Sequence, residues 1–308
     1  MIPIKFNQSF LDKHIVEVSK SLQKRIQKAL DSKLSSNEKK SIEYIEQHLE
    51  DILKADNNEL QTIIQYFYQH YPNAIGVVGQ KKEDWNSLYK IVRDIFEKEY
   101  NYWSQKTDYN AYYFVEQLGI KTCPYCNRNY TFVVDNENGK LRPEIDHFYP
   151  KSIYPFLAMS FYNLIPSCPI CNHTKKDRDS YKEKLINPYE YKENDFKFTY
   201  IPSEVEFNEI EKQKYNYDSF EIEFESGNKN IDTFKLEELY KQHKDIVVEL
   251  LVKKAYYPQS YIEELASFGF GEDEVYRYLL GNYKKDEDLH KRPLSKLIKD
   301  ISQELKLI

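Results

Sequence analysis

The sequence predicts an α+β fold: a mostly α-helical chain built around a small central module of two strands and one helix. Three observations carry this. The flanks repeat apolar residues at helical spacing, the centre holds two short β-branched and aromatic runs, and all four cysteines bracket those runs. The expected regions are a helical N-terminal part over 1–118, the cysteine-bracketed module over 119–185, and a C-terminal part over 186–308 in which short strands precede helices.

In the first region Ile15, Val16, Val18, Leu22, Ile26 and Leu30 mark a helix over Phe10 to Leu30. Ser36-Asn37-Glu38-Lys39 opens a second, running to about Lys54. Leu60 to Tyr71 and Trp85 to Gln105 predict two more, with Pro72 and Gly76 in the break between them. Tyr109 to Leu118 leads into the module, and Gly119 is the expected stop.

The cysteines are Cys123, Cys126, Cys168 and Cys171, in the pairs CPYC and CPIC with 41 residues between them. Two residues between thiols put both sulfurs on one turn, and two such turns complete a four-thiolate tetrahedral Zn²⁺ site with no open position. Such a zinc staples a fold and takes no part in chemistry. Disulfides, a redox C-x-x-C and plain buried thiols are the competing readings; the first two fit poorly with two matched pairs in a chain expected in the cytoplasm.

Between the pairs, Tyr130 to Val134 reads as a strand, Asn136 to Gly139 as a turn, and Leu141 to Phe148 as a second strand carrying Glu144-Ile145-Asp146-His147. A helix is expected from Cys171 onward. His147 suits a general base, because imidazole titrates near neutrality. Asp146 is a hard oxygen ligand for Mg²⁺ or Mn²⁺, and Asn172 offers an amide oxygen to the same ion. Asn163 holds His147 in orientation or pins the loop. Lys151, Lys175, Lys176 and Arg178 are candidate phosphate contacts. Glu144 shares the strand face of Asp146, which suggests a supporting role. The other histidines read as ordinary surface or core residues.

The segments E-I-D-H-F-Y-P-K-S and N-L-I-P-S-C-P-I-C-N-H-T-K-K-D resemble the HNH endonuclease family in its four-cysteine zinc form. The resemblance implies a ββα-metal module, with His147 as base, Asp146 and Asn172 as ligands of the catalytic metal, and Asn163 orienting the base. His173 directly follows Asn172 and is the alternative final ligand. More narrowly, C-P-Y-C-N with D-H-F-Y-P-K-S is similar to the nuclease subunit of Septu-type anti-phage systems and related retron-associated effectors, over about a fifth of the chain. That likeness implies a DNA substrate, an antiviral role and a separate ATPase partner, since the sequence shows no ATP site of its own.

Charge bears on the substrate. The chain carries a net charge of −6, yet residues 121–184 hold ten Lys or Arg against seven Asp or Glu. A mildly basic island suits a local phosphate site and not tight binding along a duplex. A ribonuclease of the same type, or a zinc scaffold without catalysis, are the alternative functions. No apolar run is long enough to span a bilayer, and the N-terminus lacks the pattern of a secretory signal. No membrane association is therefore expected.

Beyond the module, FKFTYIP and FEIEFES show strand-like alternation between Asp195 and Ser226. Leu236, Leu239, Ile246, Val247, Leu250 and Leu251 mark an apolar helical stripe from Ile231 onward, and a last helix is expected from about Pro293 to Leu307.

Overall fold

The computed structural model describes residues 1–202, 220–257 and 259–307. It is a mixed α+β structure, with helices and small antiparallel two-stranded sheets. Contacts divide it into two compact units: Ile4–Gly119 with Phe132–Glu190, and Met1–Pro3 with Ile120–Thr131 and Tyr191–Ile308. These units group the chain differently from a division at 118 and 185. Among the described residues no helix is long and apolar enough to cross a membrane.

In the first of these units α1 (Gln8–Leu30) starts at Asn7, whose side chain accepts the Ser9 amide. The predicted second helix is two helices, α2 (Ser36–Gln47) and α3 (Leu49–Lys54), broken at His48. Ser35 and Glu38 close a capping box on α2, and Asp56 and Glu59 close one on α4 (Asn57–His70). Asn86 caps α5 (Ser87–Trp103), and Asn110 caps α6 (Ala111–Leu118). Gly119 ends α6 in the left-handed region at φ 65°, as its sequence position predicts. Apolar positions repeating every three to four residues, among them Leu22, Ile26, Ile42, Ile64, Phe67, Val92 and Phe96, are fully buried.

His14 lies in this core with no exposed surface; its ring nitrogens bond the Tyr109 hydroxyl at 2.7 Å and the Met159 carbonyl at 2.8 Å. Burial lowers its pKa from 6.5 to about 4. Between those values the unfolded chain binds the proton and the folded chain does not. Stability is therefore full above pH 6.5 and falls as pH drops through that window. The expected loss between pH 7 and pH 5 is about 2 kcal/mol. In urea unfolding at the two pH values, His14→Gln should show a shallower loss; an unchanged slope contradicts the assignment.

Gly76 sits where the chain runs against the loop after residue 150. Its amide donates to the Ile153 carbonyl at 2.8 Å, and an added Cβ would lie 2.1 Å from the Ser152 oxygen. Gly76→Ala must therefore push backbone apart, at an expected cost of about 1–3 kcal/mol read as a lower melting temperature. Melting at the unsubstituted temperature would show that this loop is not held there.

The strands differ from expectation. β1 (Val134–Asn136) and β2 (Gly139–Leu141) form an exposed hairpin, paired Val134 to Leu141. β3 (Glu144–His147) is not a continuation of β2. It pairs instead with β4 (Leu164–Ser167), Asp146 opposite Ile165 and His147 opposite Leu164. Pro143 separates the two strands, since it has no amide to offer a ladder. Short α7 (Pro169–Lys175) follows β4, with Pro169 at its first position.

In the second unit β5 (Phe198–Pro202) pairs with β6 (Phe220–Phe224). The alternation expected over Asp195 to Ser226 thus has a strand at each end, and residues 203–219 lie outside the described residues. The apolar stripe from Ile231 is shared among α8 (Lys229–Thr233), α9 (Leu236–Tyr240) and α10 (Lys244–Tyr256), with Lys235 left-handed at φ 53° between the first two. α11 (Gln259–Ser267) and α12 (Glu272–Leu280) follow, and α13 (Ser295–Glu304) is the expected last helix, shorter at both ends. α13 packs on β5, where Asp300 accepts the Phe198 amide and the buried Lys296 ammonium.

Candidate active site and metal centre

Each cysteine pair is shaped by local hydrogen bonds. After Cys126 the chain turns through Asn127 at φ 49°, a conformation asparagine tolerates, and the Asn127 amide donates to the Cys123 carbonyl at 2.7 Å. The Asn127 side chain is fully buried. Its amide nitrogen donates to Thr122 Oγ1 and the Leu289 carbonyl, and its oxygen accepts from Ser295 Oγ and the Lys296 amide. The turn is thereby tied to the start of α13. Tyr240 reinforces it by donating its hydroxyl to the Cys126 carbonyl at 2.6 Å. The second pair opens α7, where Cys168 is the N-cap and its sulfur accepts the Cys171 amide at 3.5 Å. The Arg128 amide points at Cys126 Sγ in the same way, at 3.4 Å. Donors aimed at sulfur favour the thiolate form that a metal requires.

All four cysteines are buried, and their Sγ atoms lie within 4.8 Å of one another. A tetrahedron with Zn–S bonds of ~2.3 Å has sulfur–sulfur edges of about 3.8 Å, so the donor set fits zinc. The four cysteines are positioned to bind a metal ion.

The second constellation grows from β3 and α7. Alternation puts Glu144 and Asp146 on one strand face, and Asn172 and Lys175 share a helix face at i, i+3. The faces meet residue by residue. Asn172 Nδ2 donates to Glu144 Oε2 at 2.7 Å, and Lys175 Nζ donates to Asp146 Oδ1 at 3.1 Å and to the His147 carbonyl at 2.8 Å. His173 Nε2 lies 3.3 Å from Glu144 Oε1 on the exposed side.

His147 is held by its own chain. Nε2 donates to the Ala158 carbonyl at 3.0 Å, which leaves Nδ1 as the basic nitrogen. The Tyr100 ring from α5 packs edge-on against the imidazole, 4.7 Å between centroids. Burial, and then the charge of Lys151, hold the imidazole pKa well below its ordinary value, so the ring is neutral near pH 7. Lys151 Nζ lies over the Tyr100 ring, 4.3 Å from its centre.

Asp146, His147, Asn172, His173, Lys151 and Lys176 line one open cleft of about 400 Å³, with Tyr100, Ile145, Pro150 and Asp177. Four sequence-predicted residues stand elsewhere. Lys175 is no surface phosphate contact: its ammonium is fully buried and bonded to Asp146 and the His147 carbonyl. Arg178 pairs with Glu183 at 3.2 Å and does not line the cleft. Asn163 does not bond His147. It accepts the Tyr149 amide at 2.6 Å and donates to the carbonyls of Tyr149 and Leu157, so of its two expected roles it takes loop pinning. Glu144 supports Asn172 and not Asp146 directly.

Sequence reasoning overlooked Tyr100, the Ala158 carbonyl and the buried role of Lys175. The last was detectable, because Lys175 follows Asn172 by three residues on a helix. A tyrosine on a distant helix and a backbone carbonyl leave no such signal.

No family model matches the sequence, and no solved structure matches it. A stretch of 72 residues, 23% of the chain, is 39% identical to the Septu protein PtuB of Bacillus thuringiensis. That stretch spans 26% of the relative, about a quarter of its length. The likeness supports a Septu-like relationship over this part of the chain.

Proposed function

We propose that the chain is a metal-dependent endonuclease of the HNH type that hydrolyses phosphodiester bonds in DNA. We also propose that it serves as the effector of an anti-phage system beside a separate ATPase subunit. The observation that carries the reading is the convergence of His147, Asp146 and Asn172 on one cleft, with Nε2 of His147 anchored to a carbonyl. The partial likeness to PtuB supports the defence role.

His147 Nδ1 accepts the proton of the attacking water, a task that needs the neutral ring its surroundings favour. Asp146 and Asn172 would hold Mg²⁺ or Mn²⁺, which supplies neutralisation of the charge developing on the phosphate and leaving oxygen. Glu144 fixes the Asn172 amide through its nitrogen, so that the amide oxygen is the donor left for the ion. Lys151 and Lys176 attract the phosphate. The four cysteines hold a zinc that keeps α7, and with it Asn172, in place.

Supercoiled plasmid incubated with the purified protein should be nicked or linearised in Mg²⁺ or Mn²⁺ and left intact in EDTA. Asp146→Asn should lower the rate by at least on the order of a hundredfold. An inactive wild type that holds its zinc, with plasmid and RNA alike and with an ATPase partner added, contradicts the reading and leaves a zinc-bound scaffold.

A further inference from the structure

The cleft presents an unusual charge balance for a cation site. Its side chains and their immediate supports include three carboxylates, Glu144, Asp146 and Asp177, and three ammonium groups, Lys151, Lys175 and Lys176. Lys175 matters most. Its ammonium is fully buried, 3.1 Å from Asp146 Oδ1, and it is held in place by the His147 carbonyl. A divalent ion at Asp146 must therefore share that carboxylate with a fixed positive charge. Affinity for hard cations falls as the net negative charge of the ligands falls. A phosphodiester reverses the balance, because its negative charge faces both the ion and the flanking Lys151 and Lys176.

We infer that this cleft takes a divalent cation and a phosphodiester together, and that Lys175 makes it hold the cation weakly when no phosphate is present. The inference rests on the nuclease reading and deepens it: phosphate and ion each complete the other's site. Reciprocity then requires that the ion strengthen nucleic-acid binding by the factor by which nucleic acid strengthens ion binding. Lys175 is here a positioning and charge-setting residue, since it touches Asp146 and not the reacting atoms. The arrangement also limits idle chemistry, because the ion gathers where a phosphate already lies.

The test uses the full chain with His147→Ala, so that a short fluorescein-labelled DNA duplex stays intact while Asp146 and Lys175 are unchanged. Electron paramagnetic resonance titration with Mn²⁺ alone should give half-saturation at about 1 mM or weaker. At constant ionic strength, Mn²⁺ should tighten the duplex on the order of tenfold by fluorescence anisotropy. Adding Asp146→Asn should remove that gain. Lys175→Met, or Lys175→Gln where the methionine variant does not fold, should tighten Mn²⁺ in the absence of DNA by a similar factor; unchanged Mn²⁺ affinity in a folded variant overturns the role given to Lys175. Tight Mn²⁺ binding without DNA, or no gain in duplex affinity with Mn²⁺, overturns the inference. The nuclease reading fails differently, by a wild type that binds Mn²⁺ and duplex together and does not cleave.

Discussion

Serine in place of Cys171 is expected to abolish zinc retention and to unravel the segments around both cysteine pairs. The reason is the scale of the interaction against what else holds those segments. A structural zinc contributes roughly 10–16 kcal/mol of apparent binding free energy, as large as the ~5–15 kcal/mol by which a whole domain is stable. Here the metal would hold short elements: a turn over 123–129, the four-residue strand Leu164–Ser167 and the seven-residue helix α7. None of these is long enough to be stable by itself. Zinc analysis should find one ion per wild-type chain and almost none in the variant. Hydrogen exchange should show lost protection over 120–131 and 164–175, while α1 and α5, with their own apolar core, keep theirs. Wild-type protein that is folded and fully protected without zinc would contradict the assignment.

Alanine at His147 has the second large effect. Removing a positioned general base costs on the order of 10²–10⁴-fold in rate. Several other groups at this cleft are engaged elsewhere. Lys151 is a cation packed on Tyr100, Lys175 is bonded to Asp146, and His173 lies by Glu144 on the outer side. Among the described residues the side chain of His147 makes one hydrogen bond and one ring contact, to Ala158 and Tyr100. Folding and zinc content should therefore survive the change. Measured at matched zinc content, a residual rate above about a tenth of wild type would mean that the proton goes elsewhere.

What the sequence revealed and what it concealed divide along physical lines. Helix ends with local chemistry were legible, as at Gly119. The cysteine cluster was legible because two C-x-x-C pairs suit a tetrahedral ion, and the structure brings the four thiols together. The Asp146–His147 pair stood out between the two knuckles, and the structure gathers both with Asn172. Strand pairing was not legible. β4 contains Pro166, which argues against a strand by composition, yet in a two-stranded sheet the residue's missing amide can face away from its partner. The register that sets Asp146 opposite Ile165 depends on a return of the chain some twenty residues later, a tertiary event with no local signature. Lys175 was misplaced for a related reason. Lysine on a short helix normally reaches solvent, and only the carboxylate and carbonyl waiting on β3 make its burial tolerable. The roles of Tyr100 and Ala158 depend wholly on how α5 and the loop before Asn163 pack against β3, and no residue pattern announces that.

The most direct test of the account is a time course on supercoiled plasmid in Mg²⁺, with wild type and His147→Ala at equal zinc content and an EDTA control. Conversion to nicked or linear DNA is expected with the wild type in Mg²⁺, and none with the variant or in EDTA. Equal cleavage by wild type and variant, or cleavage that persists in EDTA, would contradict it.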